Sequence, residues 1–430
     1  MARHLHMGAS QTSFTNLQAD YRMTPSLVSS EPAVCPFCGL LCDDLPAWDA
    51  QLQATCPRAA DGVAALAGPG DGARIDGSPA SLAEAIAEAA RRLRIAHRPV
   101  IGGLGGDVQA VRAALRLADG VGARVVHRNQ FVVQRNVFAQ QSRGAMTTTL
   151  AEVRNRADLI VIIGGDPTRR FPRLLERLLV PEPAFVSAVE RKVALLAAPR
   201  PERLPVGTEV DSVDCGGLDV IDAIAQLRAL IRGAPVTASG TLAQLAVRMQ
   251  ACRYGTLIWA VADFDFVGAD LLVEQLQQLV FDLNRKTRWA ALPLAGSDGD
   301  LTANAVTTWQ TGFALPVEFA AGKVGYDPFP DYSDADLLLW LGALPGVGAP
   351  QLAGAAVSPV IAIGAPSQAA GLPDRHVFIP VATPGVNGSG HLVRCDSVIT
   401  LYASARLVTT LPSAASVIEA IADAFTGERT

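Results

Sequence analysis

Four cysteines near the N-terminus have the spacing of ligands for a metal ion or an iron–sulfur cluster. Cys35, Cys38 and Cys42 form a C-x2-C-x3-C pattern, and Cys56 follows after thirteen intervening residues. Three thiolates on one turn can face the same space, and a fourth completes a set that suits a [4Fe–4S] cluster or Zn²⁺. Structural zinc sites usually have paired C-x2-C units, so the uneven spacing favours the cluster. The alternative is a site without metal, in which the cysteines pack as small apolar side chains.

The other residues that could do chemistry stand apart in the sequence. Cys215, Cys252 and Cys395 have no partner at a useful spacing and are expected to be buried thiols. No G-x-S-x-G or H-E-x-x-H motif occurs. The histidines beyond the N-terminal arm are expected to be structural: His97, His127, His376 and His391. His391 differs because it follows the glycine-rich stretch 384–390, where the backbone can approach a ligand closely.

Two further segments could bind an anion. The glycine-rich turn 102–106 follows a short strand and could present a helix N-terminus to a phosphate. It lacks the G-x-G-x-x-G spacing, so a tight turn between strand and helix is the preferred interpretation. Arg169, Arg170 and Arg173 could bind an anionic cofactor or a neighbouring subunit, or could form a solvated cluster. The two aspartates after Cys42 could orient metal ligands, although solvation of the turn is preferred.

The elements that must position these residues alternate between helices and short apolar strands. Residues 81–97 place apolar side chains on one helical face, and Ser81 with Glu84 predicts a capping box. Short apolar runs, most of them followed by glycine, recur between helical stretches: 99–101, 123–127, 159–163, 257–261, 337–341 and 360–363. Such strands are typical of parallel sheets that are buried on both faces. The sequence therefore predicts an α/β protein with Rossmann-like parallel sheets.

Composition fits a folded protein whose surface is partly covered by partners. Apolar residues make up 50% and charged residues 18% of the 430 residues, which favours membership of an oligomer or complex. The net charge is −5 and the Lys and Arg residues are scattered, so we expect no nucleic-acid binding. No apolar run approaches the roughly 20 residues of a membrane-spanning helix, and the N-terminus lacks a secretion signal. We therefore expect a cytoplasmic protein without a membrane partner.

Changes in pattern along the chain predict four regions. Residues 1–30 are polar and weakly patterned, as in an N-terminal arm. Residues 31–75 form a small cysteine module, and 76–210 a Rossmann-like domain. A second α/β region covers 211–430, and within it 285–330 lacks periodicity and is expected to be irregular.

The cysteine module resembles part of a known family of enzymes. Residues 38–44, Cys-Gly-Leu-Leu-Cys-Asp-Asp, resemble the cluster-binding opening of the B subunit of formylmethanofuran dehydrogenase, a molybdopterin- or tungstopterin-type oxidoreductase. The resemblance continues in the same order through 152–158, 164–167, 308–312 and 384–390. It spans nearly the whole chain and implies a molybdopterin-oxidoreductase-like fold.

One departure from that family bears on function. In the family a cysteine or selenocysteine ligates the metal on the loop after the strand that matches 123–127. Here 127–134 reads His-Arg-Asn-Gln-Phe-Val-Val-Gln, and no cysteine occurs between Cys56 and Cys215. Without this thiolate the ligand that fixes molybdenum or tungsten is missing. We therefore expect no molybdopterin or tungstopterin and no formyl redox chemistry.

The chain is accordingly more similar to the B subunit of the bacterial formyltransferase/hydrolase complex of methylotrophs. That resemblance implies a non-redox, largely structural subunit without catalytic residues of its own. The complex is expected to transfer the formyl group of formyl-tetrahydromethanopterin to a methanofuran-type carrier and to hydrolyse it to formate. Expected partners are the A, C and D subunits, with hydrolysis on A and transfer on D, and the polyanionic tail of the carrier. The four cysteines would hold [4Fe–4S], zinc or no metal.

Two other functions stay open from the sequence. The first is an active molybdopterin or tungstopterin dehydrogenase subunit that uses another metal ligand, or none. The second is a free-standing metal-binding protein, which the low charge and high apolar content disfavour. Metal analysis and gel filtration separate these alternatives from a structural subunit.

Overall fold

Short apolar runs become the central strands of two sheets, as their composition predicts. The computed structural model describes residues 34–45, 52–66, 72–180, 191–295 and 297–427. Runs such as Leu-Ile-Val-Ile-Ile are buried along their whole length, because helices and loops cover both faces of a parallel sheet. The predicted α/β class is confirmed. The predicted N-terminal arm, 1–30, lies outside the described residues.

The strands are numbered in chain order. They are β1 Arg74–Ile75, β2 Ser78–Pro79, β3 Pro99–Gly105, β4 Arg124–Val125, β5 Leu159–Ile163, β6 Lys192–Leu196, β7 Val210–Val213, β8 Tyr254–Ala260, β9 Arg288–Leu294, β10 Val317–Ala320, β11 Lys323–Tyr326, β12 Leu337–Gly342, β13 Val360–Gly364, β14 His376–Pro380, β15 Gly390–Val393 and β16 Thr400–Ala403.

The helices connect these strands and lie against the sheets. They are α1 Leu52–Thr55, α2 Pro57–Ala64, α3 Leu82–Ile95, α4 Val108–Val121, α5 Gln130–Arg143, α6 Leu150–Arg156, α7 Leu174–Leu179, α8 Val220–Ile231, α9 Gly240–Ala251, α10 Ala269–Leu283, α11 Asp300–Thr311 and α12 Ala414–Gly427. The predicted capping box at the start of α3 is confirmed, since Ser81 and Glu84 exchange hydrogen bonds. Among the described residues, no helix combines the length and apolarity that a membrane span needs.

The first sheet has nine strands in the order β11-β10-β4-β3-β12-β13-β14-β1-β2. Its five central strands, from β4 to β14, are parallel, and the outer strands are antiparallel. Alternate strand residues point to opposite faces. Leu339 and Ile361 therefore pack under α3, α4 and α12, whereas Leu338 and Val360 pack on the other face with Val34 and residues of other loops.

The second sheet has five parallel strands in the order β7-β6-β5-β8-β9. One face packs against α8, α9 and α10, and the other against α6, α7 and the cysteine module. The chain leaves the first sheet after β4, builds the second sheet and returns to the first with β10. The strands of the second sheet lie on both sides of residue 210, and the division of the chain into regions stays a prediction.

The predicted irregular segment 285–330 needs correction. It contains β9, α11 and the β10–β11 hairpin. The sequence of this segment does not predict α11, because the Thr and Asn residues of the helix have low helix propensity. In the structure these side chains bond to the preceding turn: Thr307 Oγ1 donates to the carbonyl oxygen of Ala303 at 2.7 Å, and Asn304 Nδ2 to that of Asp300 at 3.0 Å.

Candidate functional site

The structure brings the four predicted ligand cysteines together in one buried cluster between the two sheets. The turn that holds the first three is closed by the Cys35 N–H, which donates to the Cys42 carbonyl oxygen at 2.8 Å. Leu41 has φ +49° within this turn, and its N–H bonds to the Cys38 carbonyl oxygen at 3.3 Å. Cys56 lies in the same cluster at the N-terminus of α2. All four are buried, and they pack with apolar residues of the second sheet.

Burial makes the three cysteines of the turn poor acids when no metal is present. Loss of solvation, followed by the charge of Cys42, raises the pKa of Cys38 to about 12. Loss of solvation also raises the pKa of Cys42 to about 11, although Arg177 and Arg173 oppose the shift. The pKa of Cys35 is raised well above the ordinary value by burial and by Cys38. Without metal, the thiols of Cys35, Cys38 and Cys42 are therefore neutral at physiological pH.

Three arginines lie near the cysteines and act on the thiols through their positive charge. In the described parts of the chain, no three His, Cys, Asp or Glu side chains are arranged to hold a metal ion. A single zinc would draw the sulfurs to about 2.3 Å from one centre. An iron–sulfur cluster takes four thiolates around a larger core and carries net negative charge. Arg58, Arg173 and Arg177 act on these thiols through their charge, which suits that anionic group.

Two aspartates anchor the cysteine turn on α7 and its N-terminus. Arg173 forms a two-pronged pair with Asp44 at 2.7 and 2.9 Å. Arg177 contacts Asp44 at 2.6 Å and Asp43 at 3.0 Å. Burial opposes the ionised form of Asp44, but the hydrogen bond from Arg173 and the charge of Arg177 lower its pKa. These carboxylates thus dock the turn, and the preferred interpretation that they only solvate it is corrected.

A fifth cysteine, expected to be an isolated buried thiol, lies beside the cluster. The Cys395 N–H donates to the Gly39 carbonyl oxygen at 2.7 Å, and both residues line a cavity of about 20 Å³ with Cys38. That volume admits one water molecule. A Cβ atom on Gly39 would lie 3.0 Å from the Cβ of Cys395, so a larger residue there would have to displace Cys395 by a few tenths of an ångström. No local spacing signals the contact, because it joins distant parts of the sequence.

His127 stands on the loop after β4, where the related dehydrogenases are expected to place a metal-ligating thiol. It is buried, and its Nδ1 accepts the backbone N–H of Asn129 at 2.9 Å. That leaves the proton on Nε2, which lies 3.3 Å from the Asp298 carbonyl oxygen and donates to it. Burial lowers the pKa of His127 to about 4. Both ring nitrogens are engaged, so neither offers a lone pair to a metal.

The loop before α11 connects His127 to the cysteine module. Ser297, Asp298 and Gly299 have φ values of +83°, +62° and +83°, a left-handed run that is costly at the two non-glycine positions. Arg58 of α2 holds this run by bonding to Ser297 Oγ at 2.8 Å and Asp298 Oδ1 at 2.7 Å. Its Nε also donates to the Phe37 carbonyl oxygen at 2.7 Å. Arg58 therefore ties the strained loop to the cysteine turn.

The crevice between β3 and β12, where the strand order of the first sheet reverses, is filled by the chain itself. Doubly wound sheets bind ligands at such points, outside the carboxyl ends of the strands. A Cβ atom on Gly105 would lie 2.0 Å from Cγ2 of Val347, and one on Gly342 would lie 1.9 Å from Oε1 of Gln368. The side chain of Asp107 caps α4 by accepting two backbone N–H groups. The segment 102–106 is therefore a capped turn between strand and helix, in agreement with the preferred interpretation, and not a phosphate cradle.

The corresponding crevice of the second sheet, between β5 and β8, is also filled. A Cβ atom on Gly164 would lie 2.3 Å from the Phe264 ring, and one on Gly165 would lie 2.3 Å from Oδ2 of Asp263. Asp263 pairs with Arg170 at 3.0 Å. A pterin dinucleotide would have to displace these side chains, so the residues present do not fit such a cofactor.

The glycine-rich stretch before His391 packs on the cysteine module. Gly385 has φ +80°, and a Cβ atom there would lie 3.1 Å from the carbonyl oxygen of Val34. His391 itself is exposed on the β15–β16 hairpin, where its ring lies 5.1 Å from that of Tyr402. The close approach expected for a ligand is therefore made to the chain's own backbone.

The remaining predicted site residues do not converge on one centre within the described residues. Arg173 belongs to the turn anchor, Arg170 pairs with Asp263, and Arg169 lies 3.8 Å from Glu202. Cys215 and Cys252 are partly buried, and His376 contacts the Pro373 carbonyl oxygen. Arg173 is thus buried and not part of a solvated cluster, and Cys215 and Cys252 are less buried than the sequence predicted.

Comparison with known proteins decides the family. No family model matches the chain. The B subunit of the formyltransferase/hydrolase complex Fhc of Methylorubrum extorquens is 32% identical over 320 residues, which cover 69% of this chain and 86% of that protein. The chain belongs to this family of B subunits. The resemblance predicted from the sequence is confirmed.

Structural comparison agrees with this family membership. A chain in the crystal structure of the complex FhcABCD from Methylorubrum extorquens, in complex with methylofuran, superposes with a TM-score of 0.70 and 29% identity. The match covers 83% of this chain and 99% of that chain. The B subunit of the tungsten-containing formylmethanofuran dehydrogenase 2 of Methanocaldococcus jannaschii is 27% identical over 402 residues, or 85% of this chain and 91% of that protein.

Proposed function

We propose that this chain is a non-redox, largely structural subunit of a cytoplasmic formyltransferase/hydrolase complex. The complex transfers the formyl group of formyl-tetrahydromethanopterin to a methanofuran-type carrier and hydrolyses it to formate. The observation that carries the proposal is the likeness to the B subunit of Fhc over 86% of that protein's length. Catalysis belongs to other subunits, and this chain contributes no catalytic residue.

The absence of redox chemistry is supported by the two filled crevices and by His127. Val347 and Gln368 occupy the first crevice, and Asp263 and Phe264 the second. His127 has both ring nitrogens in hydrogen bonds at the position expected for the metal ligand. We therefore infer that the chain binds neither molybdopterin nor tungstopterin.

For the four cysteines we propose a structural role. The thiols of Cys35, Cys38, Cys42 and Cys56 would hold a [4Fe–4S] cluster, whose bound form supplies cross-links between the turn and α2. The arginine charges around the thiols support an anionic group such as this cluster. Iron analysis and a visible spectrum of anaerobically purified protein test this role. Zinc alone, or a metal-free protein of equal stability, contradicts it.

We further propose the A, C and D subunits as partners, together with the methanofuran-type carrier. An exposed aromatic surface supports protein partners. Phe131, Phe313 and Phe329 are exposed, and the half-buried rings of Phe138 and Tyr326 pack against Phe329 and Phe313. Phe329 is 75% exposed although its ring lies 5.8 Å from that of Phe138. Clusters of exposed aromatic side chains are typical of protein interfaces.

Co-purification with metal analysis tests the proposed function. The tagged chain, isolated from its native cells, is expected to carry the other three subunits in fixed stoichiometry. The isolated complex is expected to form formate from formyl-tetrahydromethanopterin without an electron acceptor. Stoichiometric molybdenum or tungsten, or formate-dependent reduction of a dye, would support the dehydrogenase function and overturn the proposal.

A further inference from the structure

The edge of the second sheet where its parallel strands begin carries a concentration of basic residues. Arg288 is the first residue of β9, and Arg253 directly precedes β8. Arg156 ends α6 just before β5, while Arg285 and Lys286 lie in the turn before β9. Because the strands run parallel in continuous register, their first residues meet at one edge.

These five residues, here named the basic edge, present their side chains to solvent. Each is exposed. Arg156 lies 3.4 Å from Glu152, and Lys286 Nζ lies 3.3 Å from Oε1 of Gln250. Within the described ranges, Arg253, Arg285 and Arg288 form no salt bridge with a carboxylate. Most of this positive charge is therefore not neutralised by the chain.

Acidic residues near the basic edge do not balance it. Asp158 is engaged by the backbone N–H groups of Arg253 and Tyr254 at 2.8 and 3.0 Å. Glu209, just before β7, is exposed at the same end of the sheet. The whole chain has a net charge of −5, whereas this edge has a local excess of positive charge. Charge is therefore unevenly distributed over the chain.

Helix C-termini at this edge explain part of the concentration of basic residues. They do not need the basic side chains as hydrogen-bond donors. α6, α9 and α10 all end at this edge, and the partial negative charge of a helix C-terminus favours nearby cations. The last carbonyls are already bonded by backbone groups, as when Asn284 N–H donates to Val280 at 3.0 Å. Arg191 behaves differently, since it is directed at the carbonyl oxygens of Ala157 and Leu178.

We propose that the basic edge binds an acidic polypeptide segment of a partner subunit. Arginine side chains pair with carboxylates through two parallel hydrogen bonds, and adjacent strands lie about 4.8 Å apart, so Arg253 and Arg288 can engage successive carboxylates. The aromatic side chains next to these residues, Tyr254 and Trp289, are buried, so the basic edge offers no ring on which a base could stack. An acidic protein segment is therefore favoured over a nucleic acid. The inference rests on the proposed function, because it assigns one surface of the subunit to a partner.

Peptide binding to the full chain tests the basic edge directly. A fluorescently labelled oligoglutamate peptide is titrated with the protein, and its anisotropy is recorded at low and at physiological salt. We expect saturable binding that weakens as salt rises. The double variant R253E/R288E is expected to weaken binding by about tenfold, since each reversal removes one attraction and adds one repulsion.

Lys323 provides the matched control, because it is exposed at the first residue of β11 on the far edge of the first sheet. K323E is expected to leave peptide affinity within about twofold of the original chain. Equal weakening by both variants would overturn the inference in favour of a general charge effect. Tighter binding of a single-stranded oligonucleotide through the same arginines, or no peptide binding at low salt, would also overturn it. Either failure leaves co-purification of the complex unaffected, so the proposed function is tested separately.

Discussion

The imidazole Nε2 of His127 lies 3.3 Å from the backbone carbonyl oxygen of Asp298. Asp298 belongs to the left-handed run that Arg58 holds, so the contact joins the loop after β4 to the cysteine module. The histidine acts as a neutral donor that fixes a strained loop. Its position and its protonation state therefore affect the stability of both sheets.

Acid is expected to destabilise the protein through His127. Its pKa is about 4 in the folded chain and 6.5 in the unfolded chain, so the unfolded state gains the proton first as pH falls. The stabilisation is complete above pH 6.5 and is lost towards pH 4, by about 3 kcal/mol. Urea unfolding at pH 7 and pH 4.5 measures it. His127→Gln should remove this part of the pH dependence, whereas His391→Gln at an exposed position should retain it.

Replacing Arg58 should loosen the cysteine turn and the loop before α11 together. Arg58→Met removes three hydrogen bonds from a partly buried guanidinium and is expected to cost about 2 kcal/mol of the free energy of unfolding. Hydrogen exchange should rise in 34–45 and around Ser297 at the same time. Arg58→Lys keeps the charge without the forked geometry of the guanidinium. Its free energy of unfolding should lie between those of the original chain and Arg58→Met. Faster exchange in only one of the segments would contradict the coupling.

The cluster cysteines should resist alkylation in the folded protein. With a pKa of about 11 against the ordinary 9.0, Cys42 has about a hundredfold less thiolate at pH 8. Mass spectrometry after a timed iodoacetamide treatment should show much slower labelling of Cys42 than of the partly exposed Cys215. A parallel sample treated with a chelator separates burial from protection by metal. Rapid labelling of Cys42 in both samples would show that the turn is open.

Polar substitutions on the aromatic surface should weaken assembly without unfolding the chain. Phe329→Ser is expected to reduce the yield of co-purifying subunits, while the free energy of unfolding changes by less than about 0.5 kcal/mol. Val206→Ser is the control, since Val206 is fully exposed in the connection between β6 and β7. If both variants retain all partners equally, the aromatic surface does not contact them.

The buried amide of Gln368 should be dispensable for folding. Among the residues that the structure describes, neither its oxygen nor its nitrogen has a hydrogen-bond partner, and the residue is 4% exposed. Gln368→Met keeps the volume and removes the unpaired groups, so we expect a gain of about 1 kcal/mol in the free energy of unfolding. Gln134→Met should instead lower the free energy of unfolding, because it removes the hydrogen bond that Gln134 Nε2 donates to the Pro328 carbonyl oxygen at 2.9 Å. A loss of stability at position 368 would indicate that its amide is paired in solution.

Local patterns allowed prediction of the parallel strands, the capping box of α3 and the four-cysteine turn, because each depends on neighbours in sequence. The helix α11 escaped prediction because its Thr and Asn residues are stabilised by bonds to the preceding turn. Cys395, Arg58 and Gln368 acquire their roles through contacts between distant segments. The chain order of the two sheets also follows from long-range pairing, in which β10 returns to β4 after the second sheet is complete. Such long-range contacts produce no periodic pattern in the sequence.

The bond between Gly39 and Cys395 has a consequence for synthesis. The turn with Gly39 is synthesised 356 residues before its partner Cys395. At about 5–20 residues per second, the turn waits for roughly twenty seconds to one minute before its last neighbour arrives. During this interval its thiols face the cell's metals and reductants. A metal that occupies the proposed cysteine site would therefore have this interval to bind before the C-terminal segment docks.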